Sequence, residues 1–259
     1  MNFTLAMIQM RVEGGQKQGN LQHAGELVGR AAGQGAGVVL LPEAMPLGWT
    51  HGSARKEADA IPDGQSCAAL RQLAREHRIY VCSGVIERDG ERIYNSAVLV
   101  GPEGDLLLHH RKLNELDIAH DLYGRGDRLN VAHTPLGTFG VMICADAFVQ
   151  GQVISRTLGV MGAQIILSPC AWAVDARHNN ERDPYGQLWL DSYQPVAREF
   201  RLWIAGCSNV GPITDGPWKG RKCIGCSLVI SPTGEPVTRG EYGEDAETIL
   251  FTRIETKRA

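Results

Sequence analysis

The sequence predicts an α/β protein with two mixed β-sheets covered by helices. Short apolar runs rich in β-branched residues alternate with segments of helical periodicity, and hairpin-like pairs of strands interrupt that alternation. A purely parallel barrel would lack such antiparallel hairpins. With 259 residues and 43% hydrophobic content the chain can bury a sizeable core, and we expect a single domain over residues 1–259.

The first half is predicted to run strand, helix, strand, helix, strand and hairpin. The strands are FTLAMIQM, VVLLPE and IYVCSGVIE. Apolar residues at helical spacing mark the two helices between them: Leu21, Ala24, Leu27, Val28 and Ala31 in the first, and Cys67, Leu70, Leu73 and Ala74 in the second. NSAVLV and DLLLHH, joined by a Gly-Pro-Glu-Gly turn, predict an antiparallel hairpin.

The second half repeats this plan. FGVMIC is predicted as a strand, a helix runs from Val153 to a stop at Gly162, and QIILSP is the next strand. Asp183-Pro184 predicts the cap and first residue of another helix, which Pro195 should interrupt. WIAGCSN, CIGCSLVIS and ETILFTRI are the remaining predicted strands.

Composition narrows the function classes. A formal net charge of −3 and a pI near 6.2 give no concentrated basic face, so neither nucleic acid nor an anionic membrane is an expected partner. No apolar run is long enough to span a bilayer, and we expect a cytoplasmic protein.

The seven cysteines lie mostly in apolar stretches, which favours buried free thiols. Cys223 and Cys226 form a CxxC motif without a second pair, so both are interpreted as strand residues.

Three chemically capable side chains follow apolar, strand-like runs: Glu43, Lys112 and Cys144. Ligands of open α/β sheets bind beyond the carboxyl ends of the strands, so the three could converge there. A carboxylate base, a fixed cation and a thiol make a workable nucleophilic site. Taken singly, each has an ordinary structural explanation as a capping carboxylate, a solvated lysine or an inert core thiol.

The segments around these residues resemble the nitrilase, or carbon–nitrogen hydrolase, superfamily. VVLLPEAMPLGW is similar to the segment that carries that family's catalytic glutamate, HHRKLNE to its lysine segment, and FGVMICADAF to its nucleophile segment. Further similar segments run nearly end to end, including LAMIQM, GAQIILSPCAW, CSNVG and GCSLVISPTGE.

The resemblance implies a four-layer αββα sandwich with two mixed β-sheets, assembled as a homodimer or larger homo-oligomer. It implies hydrolysis of a non-peptide C–N bond with no metal and no organic cofactor. Cys144 would be the nucleophile and Glu43 the general base, while Lys112 and a backbone amide near Ala145 would stabilise the oxyanion. The family's second glutamate has Glu115 as its first candidate here, with Asp121 and His120 in the same stretch.

Substrate contacts are predicted around this site. Trp49, Trp172 and Tyr185 could form aromatic walls, and Ala145 and Asp146 stand beside the nucleophile. The expected activity is that of an amidase, which uses water to convert a small carboxamide into a carboxylic acid and ammonia.

Several alternatives stay open. Both ω-amidase-like and N-carbamoyl substrates remain possible, and nitrile hydrolysis is less favoured. A non-catalytic binding or assembly protein of the same fold is the rival from another class, although the intact triad argues against it. In a catalytic protein we expect Cys144 to have a lowered pKa and to react with iodoacetamide before the other thiols.

Overall fold

The computed structural model describes residues 1–257 and contains two six-stranded mixed β-sheets, a three-stranded sheet and five α-helices. In chain order the elements are β1 (Asn2–Gln9), α1 (Lys17–Gly33), β2 (Val38–Leu40), α2 (Ala54–Glu57), α3 (Gln65–His77), β3 (Tyr80–Asp89), β4 (Arg92–Val100), β5 (Leu106–Arg111), β6 (Val131–Thr134), β7 (Gly137–Val141), α4 (Val153–Val160), β8 (Ile165–Cys170), β9 (Ala173–Val174), α5 (Gln187–Phe200), β10 (Trp203–Ser208), β11 (Val210–Pro212), β12 (Lys222–Ile224), β13 (Leu228–Ile230), β14 (Pro236–Arg239) and β15 (Thr248–Glu255).

The two large sheets follow similar plans. The first has the strand order β15-β1-β2-β3-β4-β5, and the second has the order β14-β13-β10-β8-β7-β6. Each has parallel strands at its centre, β1 to β3 in one and β7, β8 and β10 in the other, and antiparallel strands at its edges. The predicted hairpin of β4 and β5 is confirmed by its antiparallel register.

Three apolar clusters separate four layers. One cluster joins side chains of both large sheets, among them Leu5, Leu40 and Phe139, and fills the space between the sheets. A second lies between the first sheet and helices α1 and α3, and a third lies between the second sheet and helices α4 and α5. This arrangement confirms the predicted αββα sandwich, because each sheet buries one face on the other sheet and the opposite face under helices.

The structure corrects the predicted start and interruption of the last helix. Helix α5 begins at Gln187 and not at Pro184. The preceding residues form a turn in which Asn180 Oδ1 accepts the backbone N–H of Tyr185 at 2.8 Å, and Gly186, with φ of 121°, then redirects the chain. Pro195 lies inside one continuous helix, since the buried face of α5, which includes Trp189 and Tyr193, packs on the second sheet and stabilises it across the proline.

The segment CIGCSLVIS is also corrected, from one strand to two. Gly225 and Cys226 both have positive φ, 66° and 61°, and this left-handed pair separates β12 from β13. All seven cysteines are free, and five of them are buried. Within residues 1–257, none of the helices has both the length and the apolar character that crossing a membrane requires.

Candidate active site

The three loops that follow β2, β5 and β7 meet at one cavity. Glu43 lies three residues beyond the end of β2, Lys112 directly follows β5, and Cys144 follows β7 by three residues. All three side chains line a cavity of about 270 Å³. The structure therefore brings together the three residues that the sequence singled out for chemistry.

Glu43 is buried and held in a fixed place. Its backbone N–H donates to the carbonyl of Cys170 at 3.1 Å, which joins the β2 loop to the end of β8. Its Oε1 accepts hydrogen bonds from Asn95 Nδ2 and Lys112 Nζ, each at 2.7 Å. The β3 strand beside it must have a glycine, because a Cβ on Gly84 would lie 2.5 Å from the Glu43 Cα.

Lys112 is buried between two carboxylates. Its Nζ lies 2.7 Å from Glu43 Oε1 and 3.4 Å from Glu115 Oε2. Burial lowers the pKa of Lys112, but the charges of Glu43, Glu115 and Cys144 and the hydrogen bond to Glu43 outweigh burial and raise the pKa well above its usual value. Lys112 is thus a fixed ammonium.

Glu115 lies in the same buried cluster. Neither of its carboxylate oxygens has a hydrogen-bond partner among residues 1–257. Burial, followed in size by the opposing charge of Lys112 and the reinforcing charge of Glu43, raises the pKa of Glu115 to about 7. The other two candidates for the second acid lie elsewhere: Asp121 is exposed, and His120 points its Nδ1 toward Asp117 at 3.9 Å.

Cys144 sits at a strained turn. Its φ of 43° is a left-handed conformation that residues other than glycine rarely adopt, and its backbone N–H donates to Ser168 Oγ at 3.2 Å. Burial, the hydrogen bond with Cys170 and the charge of Glu43 raise the pKa of the Cys144 thiol well above its usual value, although Lys112 opposes them. The expectation of a lowered pKa is therefore wrong for the resting protein, in which this group is a neutral thiol.

Asp146 does not line the cavity, contrary to its predicted role in substrate contact. Its Oδ1 accepts the backbone N–H groups of Leu113 and Asn114, and its Oδ2 accepts the N–H of Ile143 and a hydrogen bond from His110 Nε2, all at 2.8 to 3.0 Å. These contacts tie the Lys112 loop to the Cys144 loop. The His110–Asp146 pair does not extend into a metal site, since residues 1–257 hold no group of three or more His, Cys, Asp or Glu side chains suited to a metal ion.

The remaining walls of the cavity are mainly aromatic. Four of the predicted contacts, Trp49, Ala145, Trp172 and Tyr185, do line it. Seven further wall residues were not predicted from the sequence: Leu116, Phe148, Ala171, Ala173, Leu188, Trp189 and Trp218. Trp189 could have been found from its place on the apolar face of a helix, whereas Trp218 stands in an irregular loop where no periodic pattern points to it.

The family of the chain follows from comparison with known proteins. The family model described as carbon-nitrogen hydrolase matches residues 4–259. The chain belongs to the carbon–nitrogen hydrolase family. It is therefore an enzyme of the carbon–nitrogen hydrolase type. The zebrafish (Danio rerio) protein named omega-amidase NIT2 is 35% identical over 98% of the hydrolase and 88% of that protein. A protein named nitrilase from Pyrococcus abyssi is 31% identical over 93% of the hydrolase and 86% of its own length.

Solved structures show the same fold. A carbon-nitrogen hydrolase from Helicobacter pylori G27 superposes on the hydrolase with a TM-score of 0.85 at 21% identity, covering 98% of the hydrolase and 90% of that chain. A cysteine-to-alanine mutant of the amidase from Nesterenkonia sp. AN1, solved with butyramide, gives a TM-score of 0.80 at 21% identity, covering 97% and 90% of the two chains.

Proposed function

We propose that the protein hydrolyses a small carboxamide to a carboxylic acid and ammonia through a thioester on Cys144. One observation carries the proposal: Glu43, Lys112 and Cys144 line a single cavity, with the thiol on a strained turn beside a buried carboxylate–ammonium pair. The name of the Nesterenkonia amidase and its complex with butyramide support an amide as substrate.

The first half-reaction starts from a neutral thiol. Because the pKa of Cys144 is raised, the sulfur needs a base at the moment of attack, and Glu43 takes its proton. Asn95 and Lys112 both donate to Oε1 of the Glu43 carboxylate, which leaves Oε2 to accept that proton. As the S–C bond forms, the C=O electron pair moves onto oxygen.

The oxyanion is stabilised by fixed donors. Lys112 stays protonated and contributes a full charge inside a buried site. The backbone N–H of Cys144 is engaged by Ser168 Oγ, so the amide of Ala145, which also lines the cavity, is the second proposed donor. When the tetrahedral intermediate collapses, the C–N bond breaks and Glu43 returns its proton to the leaving ammonia.

The second half-reaction regenerates the thiol. Water attacks the thioester carbonyl while Glu43 takes its proton, the C–S bond breaks, and the proton passes to the sulfur. One amide and one water thus give one acid and one ammonia. Glu115 acts on this cycle through Lys112, whose Nζ lies 3.4 Å from Glu115 Oε2.

The test is intact-protein mass spectrometry with parallel measurement of ammonia, using simple amides, N-carbamoyl amino acids and nitriles. Cys226→Ala is the matched control for Cys144→Ala, because both cysteines are partly exposed and both have positive φ, yet Cys226 does not line the cavity. We expect an acyl adduct on Cys144 in wild type and in Cys226→Ala, and neither adduct nor ammonia in Cys144→Ala. Equal ammonia release by Cys144→Ala would disprove the assignment.

A further inference from the structure

The cavity beside Cys144 has almost no charge on its walls. Of the 14 residues that line it, only Glu43 and Lys112 are charged, and they pair with each other. Lys112 is also shared with Glu115, so one cation faces two carboxylates. An incoming anion therefore finds no free positive charge at these walls.

The rest of the lining offers flat apolar surface. Trp172 stacks on Trp189 with ring centroids 4.6 Å apart, Phe148 lies 5.6 Å from Trp189, and Trp49 meets Trp218 edge-on at 5.0 Å. Such walls favour an apolar or aromatic group, because burial of that group and edge or face contacts between rings are both favourable. The volume of about 270 Å³ limits the ligand to a small molecule.

The uncommitted donors of the walls are neutral. The indole Nε1 groups of Trp49 and Trp172 are buried without a partner in residues 1–257, whereas Trp189 Nε1 donates to Tyr185 Oη at 2.9 Å. Arg221 packs on the Trp218 ring, 4.3 Å from its centroid, and is not part of the lining. Two neutral indole donors replace only part of the hydration that a carboxylate loses on burial, so burying a carboxylate here costs more than burying an apolar group.

We infer that the substrate is a carboxamide with an uncharged, apolar or aryl side group, and that the cavity discriminates against amides that also carry a carboxylate. This inference rests on the proposed function, since it names the substrate class of the same site. The chemical class is that of arylalkyl or branched-alkyl primary amides small enough for the aromatic walls.

The test compares three amides that have the same chain length between the amide and the group that varies. They are 3-phenylpropanamide, 4-methylpentanamide and succinamate, of which the last two differ by an isopropyl group in place of a carboxylate of similar shape. Binding to Cys144→Ala is followed by the fluorescence of the four wall tryptophans, and kcat/KM is measured with wild type. We expect both neutral amides to exceed succinamate about 100-fold in affinity and in kcat/KM.

A substitution at an exposed residue of the cavity lining tests whether the lack of a free cation causes the preference for neutral amides. Leu188 lines the cavity and is 52% exposed, so Leu188→Arg adds a charge without disturbing the core. We expect Leu188→Arg to raise kcat/KM for succinamate, relative to kcat/KM for 4-methylpentanamide, about 10-fold. Val237→Arg is the matched control, since Val237 is 49% exposed and does not line the cavity, and it leaves the ratio unchanged.

The outcomes separate this inference from the proposed function. Succinamate binding or turnover equal to that of 4-methylpentanamide would overturn the inference while leaving an amidase in place. Preferred binding of the neutral amides without ammonia release from any of them would support the ligand class and overturn the hydrolysis. Failure of all three amides to bind Cys144→Ala would overturn the inference.

Discussion

At the scale of single residues, the site is governed by a buried cluster of one lysine and two glutamates. Lys112 neutralises only part of the negative charge around it, and neither oxygen of the buried Glu115 carboxylate has a hydrogen-bond partner within residues 1–257. Burial and this unbalanced negative charge together raise the pKa of Glu115. Burial, with the hydrogen bond to Cys170 and the charge of Glu43, keeps Cys144 a neutral thiol, so in the proposed mechanism Glu43 does not take the thiol proton before substrate arrives.

Glu115→Gln is expected to change how stability depends on pH. The carboxyl has a pKa of about 7 when folded and a usual value of 4.5, so between these values the folded state holds a proton that the unfolded state has lost. Its contribution to stability is full below pH 4.5 and is lost as pH rises to about 7. When pH rises from 5 to 8, the free energy of unfolding of wild type should therefore fall by about 2 kcal/mol more than that of Glu115→Gln.

Urea unfolding at both pH values measures this difference. The exposed residue Glu91 supplies the control, since Glu91→Gln removes a carboxyl that is not buried. A Glu115→Gln variant with the same pH dependence as wild type would show that Glu115 is ionised in the folded protein across this range.

At the scale of elements, the site depends on how three loops are tied together. Asp146 receives three hydrogen bonds from backbone N–H groups of the loops after β5 and β7 and one from His110 on β5. Burial raises the pKa of Asp146, but the hydrogen bond and charge of His110, the backbone hydrogen bond of Ile143 and the charge of Lys112 outweigh burial and lower it. Gly84 on β3 leaves room for the β2 loop. The three side chains proposed for catalysis thus stand on loops whose positions the sheets fix.

Asp146→Asn should loosen this tie. Both oxygens of Asp146 face N–H donors, so an amide NH₂ in either orientation would place donor against donor. We expect a loss of about 3 kcal/mol in the free energy of unfolding. We also expect kcat to fall by roughly 10- to 100-fold, because Lys112 and Cys144 would no longer be held together.

The control for this variant is Asp117→Asn, which lies in the loop after Lys112 and is fully exposed. It should match wild type in urea unfolding and in ammonia release. An Asp146→Asn protein within 0.5 kcal/mol of wild type, with unchanged kcat, would show that Asp146 does not position the site.

At the scale of the whole molecule, the two large sheets pack face to face, and the cavity lies where loops from both sheets meet. Glu43 and Lys112 come from the first sheet and Cys144 from the second. The outer layer carries exposed apolar side chains on and next to α4: Val153 is 52% exposed, Val160 77% and Met161 38%. We propose that this face supports the homo-oligomer expected from the family resemblance.

Val160→Lys should weaken that assembly. A charge at the most exposed of these positions would have to be buried in a contact between copies, while the monomer tolerates it. Light scattering after size exclusion should show a dimer or larger species for wild type and a shift toward monomer for Val160→Lys. Val237→Lys, at an exposed position on β14, is the control. A monomeric wild type would contradict the proposal.

Elements with local sequence signals could be predicted before the structure was known. The strands FTLAMIQM and QIILSP, the helices α1 and α3, and the β4–β5 hairpin follow from apolar period and turn residues, and the structure has each of them. Family resemblance, carried by the segments around Glu43, Lys112 and Cys144, added the sandwich architecture that periodicity alone could not specify.

Features that depend on packing between distant parts of the chain could not be predicted from local sequence. Helix α5 runs through Pro195 because its buried face packs on a sheet, which no local propensity records. Asp146 was predicted as a substrate contact next to Cys144, but its carboxylate oxygens accept hydrogen bonds from loops of both large sheets. The raised pKa of Cys144 and the wall at Trp218 likewise come from neighbours remote in the chain, because burial and charge act through space and not along the sequence.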